Sequence, residues 1–204
     1  MMRTHTCGEL RSEQLGEKVK LAGWVRFSRD HGGVLFLDLA DAYGTTQVVF
    51  DPEALKDRTT IEGLESLFKT FGRESVISVH GTVRNRVPGT EDSRNPTGEV
   101  EVLIEGAELL NSSRPLPFEV AEQKGSLLPG EDLRLRYRYL DLRRTSMSNN
   151  LRFRHRVISA ARCCLDDAGF VEVETPMLTR STPEGARDFI VPSRTSPGSF
   201  YALP

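Results

Sequence analysis

The sequence has 204 residues, a formal net charge of −2 at pH 7 and 38% hydrophobic residues. This composition is typical of an ordinary globular chain with one large or two small domains, and it excludes a uniformly basic polyanion-binding protein. No apolar run approaches the ~20 residues that a membrane-spanning helix needs, and the N-terminus has no apolar signal core or Arg/Ser-rich leader. We therefore expect no membrane association and a cytoplasmic location.

The three cysteines do not indicate a metal site or a reactive thiol. Cys7 stands alone, and Cys163 and Cys164 are adjacent, which is not the spacing of metal ligands. We expect no metal site in this chain, and we interpret the cysteines as small, reduced core residues.

The first half of the chain alternates apolar and polar residues, as β-strands with one buried face do. Strands are predicted at 18–28, 33–40, 45–51, 75–84 and 98–110, with one helix at 60–71. Five strands with a helix between the third and the fourth follow the order of an OB-fold barrel. The expected fold class for residues 1–110 is therefore an all-β OB-fold barrel.

The second predicted strand carries an aromatic residue on its polar face. Leu35, Leu37 and Leu39 share the face expected to meet the core, so Phe36 points outward. A neighbouring strand or a crossing loop could cover the ring. Alternatively, Phe36 is a stacking platform for an unpaired nucleic-acid base. The strand pattern alone leaves both interpretations open.

A hinge segment, residues 111–145, follows the predicted barrel. A run rich in arginine begins within this segment and continues beyond it. Between Arg134 and Arg156 there are eight arginines, no lysine and one acidic residue, Asp141. Arginines favour phosphate or carboxylate ligands because the guanidinium forks onto two oxygens. A solvated helix face is the simpler alternative for some of them.

A long amphipathic helix is predicted within residues 146–170. Ser148 or Asn149 is expected to cap its start, and Gly169 is expected to end it in a left-handed conformation. Residues 170–176 are then predicted to form a strand, because Val171 and Val173 alternate there with Glu172 and Glu174.

Several segments resemble, in order, those of class II aminoacyl-tRNA synthetases of the bacterial aspartyl type. They are THTCGELR, GWVRFSRDHGG, LFLDLAD, TTQVVFDP, PTGEVEV, LRYRYLDLRR and GFVEVETPMLTRSTPEGARDFIVPSR. The LRYRYLDLRR segment alone also fits the asparaginyl and lysyl enzymes, whereas TPEGARDFIVPSR is specific to the aspartyl type. The resemblance implies an anticodon-binding OB-fold domain at 1–110 and a hinge at 111–145. It also implies the start of a class II α/β catalytic domain, an antiparallel sheet with helices, at 146–204.

The resemblance also implies a set of anticodon-binding residues. Phe36 matches the aromatic residue that stacks on the central anticodon base, and Arg29, Gln47 and Glu101 match further contacts. A His at the position of His31 is typical of the relaxed type, which charges both tRNA(Asp) and tRNA(Asn). Because four of these residues are expected on one barrel face, the resemblance favours the stacking interpretation of Phe36.

Two departures from the family pattern weaken part of this expectation. Phe27 and Ser28 stand where the family often has arginines, so some phosphate contacts are expected to be missing. The loop before the last strand carries Glu91 and Asp92 and is more acidic than in the family.

In the second half, the resemblance implies two more functional elements. The helix and strand that end at Pro176 resemble motif 1, which builds the homodimer interface of the family. The segment STPEGARDF, residues 181–189, resembles the loop that closes over the amino acid, and Glu184 matches its acidic contact to the substrate ammonium group.

The ATP-gripping motifs 2 and 3 of the family have no counterpart in the 204 residues. We therefore expect no catalytic residue in this chain, and we interpret it as the N-terminal part of a longer aspartate–tRNA ligase. That enzyme would use ATP and Mg²⁺ to activate L-aspartate as aspartyl-AMP and transfer it to tRNA(Asp), with tRNA(Asn) as a second candidate. The alternative is a stand-alone OB-fold tRNA-binding module without catalysis.

Overall fold

The structure of the chain, a computed structural model, describes residues 2–121, 127–180 and 188–203. The chain divides into two compact units, Met1–Arg144 and Thr145–Pro204. Within the described ranges, no helix is both long enough and apolar enough to span a bilayer.

The first unit contains a closed five-stranded barrel with the order β1-β2-β3-β5-β4. The strands are β1 (Lys18–His31), β2 (Val34–Ala40), β3 (Thr45–Phe50), β4 (Val76–Asn85) and β5 (Val100–Asn111). Helix α1 (Arg58–Phe68) lies between β3 and β4 in the chain, and only the β3–β5 pair is parallel. This arrangement confirms the predicted OB-fold barrel.

The barrel is held together by aliphatic side chains that alternate inward along the strands. Leu21 on β1 and Leu37 on β2 are almost completely buried, and Leu64 of α1 joins the same cluster. The rings of Phe50 and Phe68 lie 5.0 Å apart, centre to centre, and so fix the helix against β3. Full burial of each such side chain stabilises the fold by roughly 1.5–3 kcal/mol.

The hairpin between β1 and β2 is tighter than the sequence pattern predicted. Strand β1 continues to His31, which pairs with Val34, so only Gly32 and Gly33 form the turn. Both glycines have positive φ, 64° and 89°, a conformation that other residues adopt at a cost. The prediction that β1 ends at Ser28 was therefore wrong.

A β-bulge at Arg26 changes which residues of β1 face outward. Val25 pairs with Leu39, but the next paired residue, Phe27, lies opposite Asp38. Arg26 is the extra residue, and an extra residue reverses the alternation beyond it. Phe27 consequently lies on the outer face of the barrel instead of following Val25 into the core.

The described residues of the hinge before Thr145 belong to the first unit. Phe118, Val120 and Leu140 form a small second core, and two short helices follow the irregular stretch, α2 (Glu131–Arg136) and α3 (Arg138–Asp141). The buried carboxylate of Asp141 accepts hydrogen bonds from arginines on both sides of it in sequence. Part of the arginine run thus serves internal structure.

The second unit begins with helix α4 (Thr145–Asp167). Gly169 follows it with φ +82°, which confirms the predicted helix stop. The predicted caps were wrong, because Ser148 and Asn149 lie inside the helix. A two-stranded antiparallel sheet, β6 (Phe189–Pro192) and β7 (Phe200–Leu203), completes the described part of this unit.

Two other predictions for the second unit were also wrong. Residues 170–176 form no strand, because no described strand offers them a ladder partner, and Val171 and Val173 are largely exposed. Cys163 and Cys164 are exposed on α4, and of the three cysteines only Cys7 is a core residue. An apolar pattern predicts a buried face, but α4 buries none of its side chains within the described chain.

Candidate nucleic-acid interface

Phe36 lies on the outer face of β2, between two neighbouring strands. It pairs with Arg29 on β1 and with Val49 on β3. The ring is half-buried, whereas its neighbours Leu37 and Leu39 lie in the core. The strand pattern therefore predicted its direction correctly, and the ring is only partly covered by its neighbours.

A row of polar side chains crosses the same outer face, one strand after another. Asp38 pairs with Gln47 on β3, Gln47 pairs with Glu101 on β5, and Glu101 pairs with Arg84 on β4. The Gln47 amide nitrogen Nε2 donates to Glu101 at 3.3 Å, and Arg84 Nε donates to Glu101 at 2.8 Å. We call these four residues the polar row.

The polar row fixes the orientation of the Gln47 amide. An ionised carboxylate only accepts hydrogen bonds, so the amide must turn its nitrogen towards Glu101. The carbonyl oxygen of Gln47 and its second N–H then remain for another partner. Glu101 is 2% exposed and Gln47 7% exposed, so both side chains are largely covered, Glu101 more completely than Gln47.

Asp38 is a half-buried carboxyl group in the row that the sequence did not single out. Burial raises its pKa, and the positive charges of Arg29 and Arg86 partly offset this effect. Asp92, from the loop before β5, raises the pKa further. Asp38 lies two residues after Phe36 on the same strand. The period-two alternation of β2 could therefore have predicted that Asp38 faces outward with Phe36.

The remaining predicted residues that the structure describes lie in two different places. Arg29 and His31 are exposed near the end of the β1–β2 hairpin, where Asp30 accepts a hydrogen bond from the Gly33 amide at 3.0 Å. Pro176 lies in an irregular, exposed segment of the second unit. Glu184 is outside the described residues. The barrel thus brings Arg29, Phe36, Gln47 and Glu101 to one face.

Two family models match the chain, one on each side of the hinge. Residues 19–110 match the OB-fold nucleic acid binding domain, and residues 130–204 match the class II tRNA synthetases (D, K and N). The chain thus combines an OB-fold nucleic acid binding domain with part of a class II tRNA synthetase domain. Its first matched segment covers the barrel, and its second covers α2, α3 and the second unit.

The chain is similar over its whole length to curated relatives from bacteria. It is 52% identical to an aspartate–tRNA(Asp/Asn) ligase from Thermotoga neapolitana, with 100% of this chain and 33% of the relative covered. It is 51% identical to an aspartate–tRNA(Asp/Asn) ligase from Magnetococcus marinus, with 100% of this chain and 32% of the relative covered. The chain therefore spans about a third of the length of these relatives.

Solved structures give the same assignment of fold. An asparaginyl-tRNA synthetase from Pyrococcus horikoshii, complexed with asparaginyl-adenylate, matches with a TM-score of 0.78 and 29% identity, covering 100% of this chain and 43% of that one. An aspartyl-tRNA synthetase from Entamoeba histolytica matches with a TM-score of 0.73 and 20% identity, covering 87% and 40%. At that lower identity the likeness concerns the fold alone.

Proposed function

We propose that the barrel binds the anticodon loop of tRNA for a protein that ligates L-aspartate to tRNA. The observation that carries the proposal is the outer face of the barrel, where a half-buried aromatic ring lies beside the polar row. An unpaired base has an apolar face for stacking and a polar edge for hydrogen bonds, so this surface matches both. The similarity to named aspartate–tRNA(Asp/Asn) ligases supports the same function.

In this proposal Phe36 stacks on the central anticodon base and Gln47 reads its edge. The Gln47 carbonyl accepts from a base N–H, and its second amide hydrogen donates to a base oxygen. Glu101 is a positioning residue, since it holds the amide from below and is in turn held by Arg84. Arg29 contributes positive charge at the edge of the platform.

We propose relaxed tRNA specificity for the same protein. The tRNAs for aspartate and asparagine share their first two anticodon bases and differ at the third. His31 is exposed on the hairpin next to Arg29, and an imidazole can donate to either pyrimidine or to a phosphate. The relatives from Thermotoga neapolitana and Magnetococcus marinus are named aspartate–tRNA(Asp/Asn) ligases, which supports this assignment.

The ligation itself is proposed for a longer protein, in which ATP and Mg²⁺ activate the carboxyl group of aspartate. Among the described residues, no group of three or more His, Cys, Asp or Glu side chains could hold a metal ion. The roles of Glu184 at the substrate ammonium and of Pro176 in a homodimer interface, like the cytoplasmic location, stay predictions. We expect the 204-residue chain to bind tRNA without activating aspartate.

Equilibrium binding of the purified chain to three tRNA transcripts tests the proposal. We expect similar affinity for the aspartate and asparagine tRNAs and at least tenfold weaker binding, about 1.4 kcal/mol, to a tRNA that differs at all three anticodon bases. Equal binding to all three would contradict anticodon reading. Aspartate-dependent ATP–pyrophosphate exchange by the chain would contradict the expected inactivity. Absence of exchange in a longer protein that contains this chain would favour the alternative, a tRNA-binding module without catalysis.

A further inference from the structure

The bulge at Arg26 places an aromatic–guanidinium pair at one end of the polar row. Phe27 pairs with Asp38 across the β1–β2 ladder, and its ring is half-buried. The guanidinium carbon of Arg73, from the segment before β4, lies 5.1 Å from the centre of the Phe27 ring. A guanidinium over an aromatic face is held in place while its N–H groups remain available at its edge.

A cleft opens beside this pair, between residues 72–73, which precede β4, and residues 113–119 of the hinge. Its volume is about 350 Å³, and Arg73, Arg114 and Glu119 all line it. Both walls belong to the first unit. The cleft is therefore a feature of one folded body.

The three charged side chains that line the cleft have a net charge of +1. Arg73 forms an ion pair with Glu119, and both side chains are about half exposed, at 48% and 57%. Arg114 is exposed, and its guanidinium has no ion pair or hydrogen bond within the described part of the chain. An exposed ion pair is weak, so a stronger anion can displace Glu119 from Arg73.

Arg73 links the cleft to the face that is proposed to read bases, because it lines the cleft and lies over the Phe27 ring. Phe27, Asp38 and Gln47 lie on three successive strands, so the step from Phe27 to Gln47 is two strand spacings, roughly 10 Å. An RNA chain with one base on the Phe36 platform can therefore extend its sugar–phosphate backbone towards Arg73.

We propose that this cleft binds a backbone phosphate of the RNA whose bases are read on the outer face. Arg73 donates to the phosphate oxygens, Phe27 holds its guanidinium in place, and Arg114 adds a second positive charge. In the absence of RNA, Glu119 forms an ion pair with Arg73, and the phosphate displaces Glu119 when the RNA binds. The inference rests on the proposed function for the identity of the RNA, but the phosphate contact itself does not depend on sequence.

Salt titrations of tRNA(Asp) binding by the 204-residue chain test this phosphate contact. For Arg73→Gln we expect roughly 3- to 10-fold weaker binding at low salt, and a slope of log affinity against log salt that is smaller by about 0.7–0.9. For Glu119→Gln we expect about 2- to 5-fold tighter binding, because the competitor of the phosphate is removed. The matched control is Arg58→Gln, which removes the same charge at a side chain 92% exposed on α1, and we expect its slope to match the wild type.

Each outcome is distinguishable from failure of the proposed function. An unchanged slope in Arg73→Gln, or weaker binding by Glu119→Gln, would overturn the inference. A change in the ratio of cognate to unrelated tRNA affinity in Arg73→Gln would also overturn it, because loss of a phosphate contact weakens the binding of all sequences equally. If the wild type binds every tRNA equally, the proposed function fails, and the slope still decides whether the cleft binds phosphate.

Discussion

At the scale of single residues, the sequence predicted well which way the side chains of a strand point, but it predicted poorly how deeply they are buried. Period-two alternation was sufficient to turn Phe36 and Gln47 outward, because side chains on a strand must alternate. It could not show that Glu101 is covered, since that depends on the parallel pairing of β3 with β5 and on Arg84 from β4. Such neighbours are far apart in sequence and leave no local pattern.

The Phe36→Ala variant tests the stacking role of that residue. Stacking of a base on an aromatic side chain is worth ~1–3 kcal/mol, so we expect tRNA(Asp) affinity to fall by roughly 5- to 150-fold. The matched control is Phe189→Ala, which removes an exposed ring from the second unit and should leave affinity within twofold. If Phe36→Ala also binds within twofold of the wild type, the ring only packs against its neighbours.

At the scale of elements, one bulge and one carboxylate join the barrel to the hinge. Glu74 has a positive φ of 64° and is buried, and it accepts a hydrogen bond from Arg26 at 2.6 Å and another from Arg143. The guanidinium of Arg143 also lies 4.1 Å from the centre of the Trp24 ring. The sequence suggested that the arginines of this run bind phosphates or carboxylates, but it could not show that Arg143 is committed to the buried carboxylate of Glu74.

Arg143→Ala should loosen the hinge without unfolding the barrel. It removes one charged hydrogen bond to Glu74 and the contact with Trp24, so we expect the free energy of unfolding to fall by about 1–3 kcal/mol. Urea unfolding measures this change, and limited proteolysis should show faster cleavage within residues 127–144. Arg136→Ala, an exposed arginine on the same hinge, is the control and should change stability by less than ~0.5 kcal/mol. Equal effects of the two variants would contradict the joining role of Glu74.

At the scale of the whole molecule, the two units differ in how completely the chain covers their apolar residues. The barrel buries a continuous aliphatic core, and the OB-fold followed from strand order alone. In the second unit, Val171, Phe189 and Phe200 are mostly exposed, and the predicted strand at 170–176 did not form. A β-strand needs a hydrogen-bonded partner strand. The alternating pattern at 170–176 therefore did not produce a strand, because no described strand pairs with that segment.

The most direct test of anticodon reading is a photochemical cross-link. The central anticodon base of tRNA(Asp) is replaced by 5-iodouridine, which joins on irradiation to an aromatic ring stacked against it, and the joined residue is located by mass spectrometry. We predict a cross-link at Phe36 that disappears in Phe36→Ala, because that ring is the platform on the outer face of β2. A cross-link on the second unit, or one that persists unchanged in Phe36→Ala, would contradict the account.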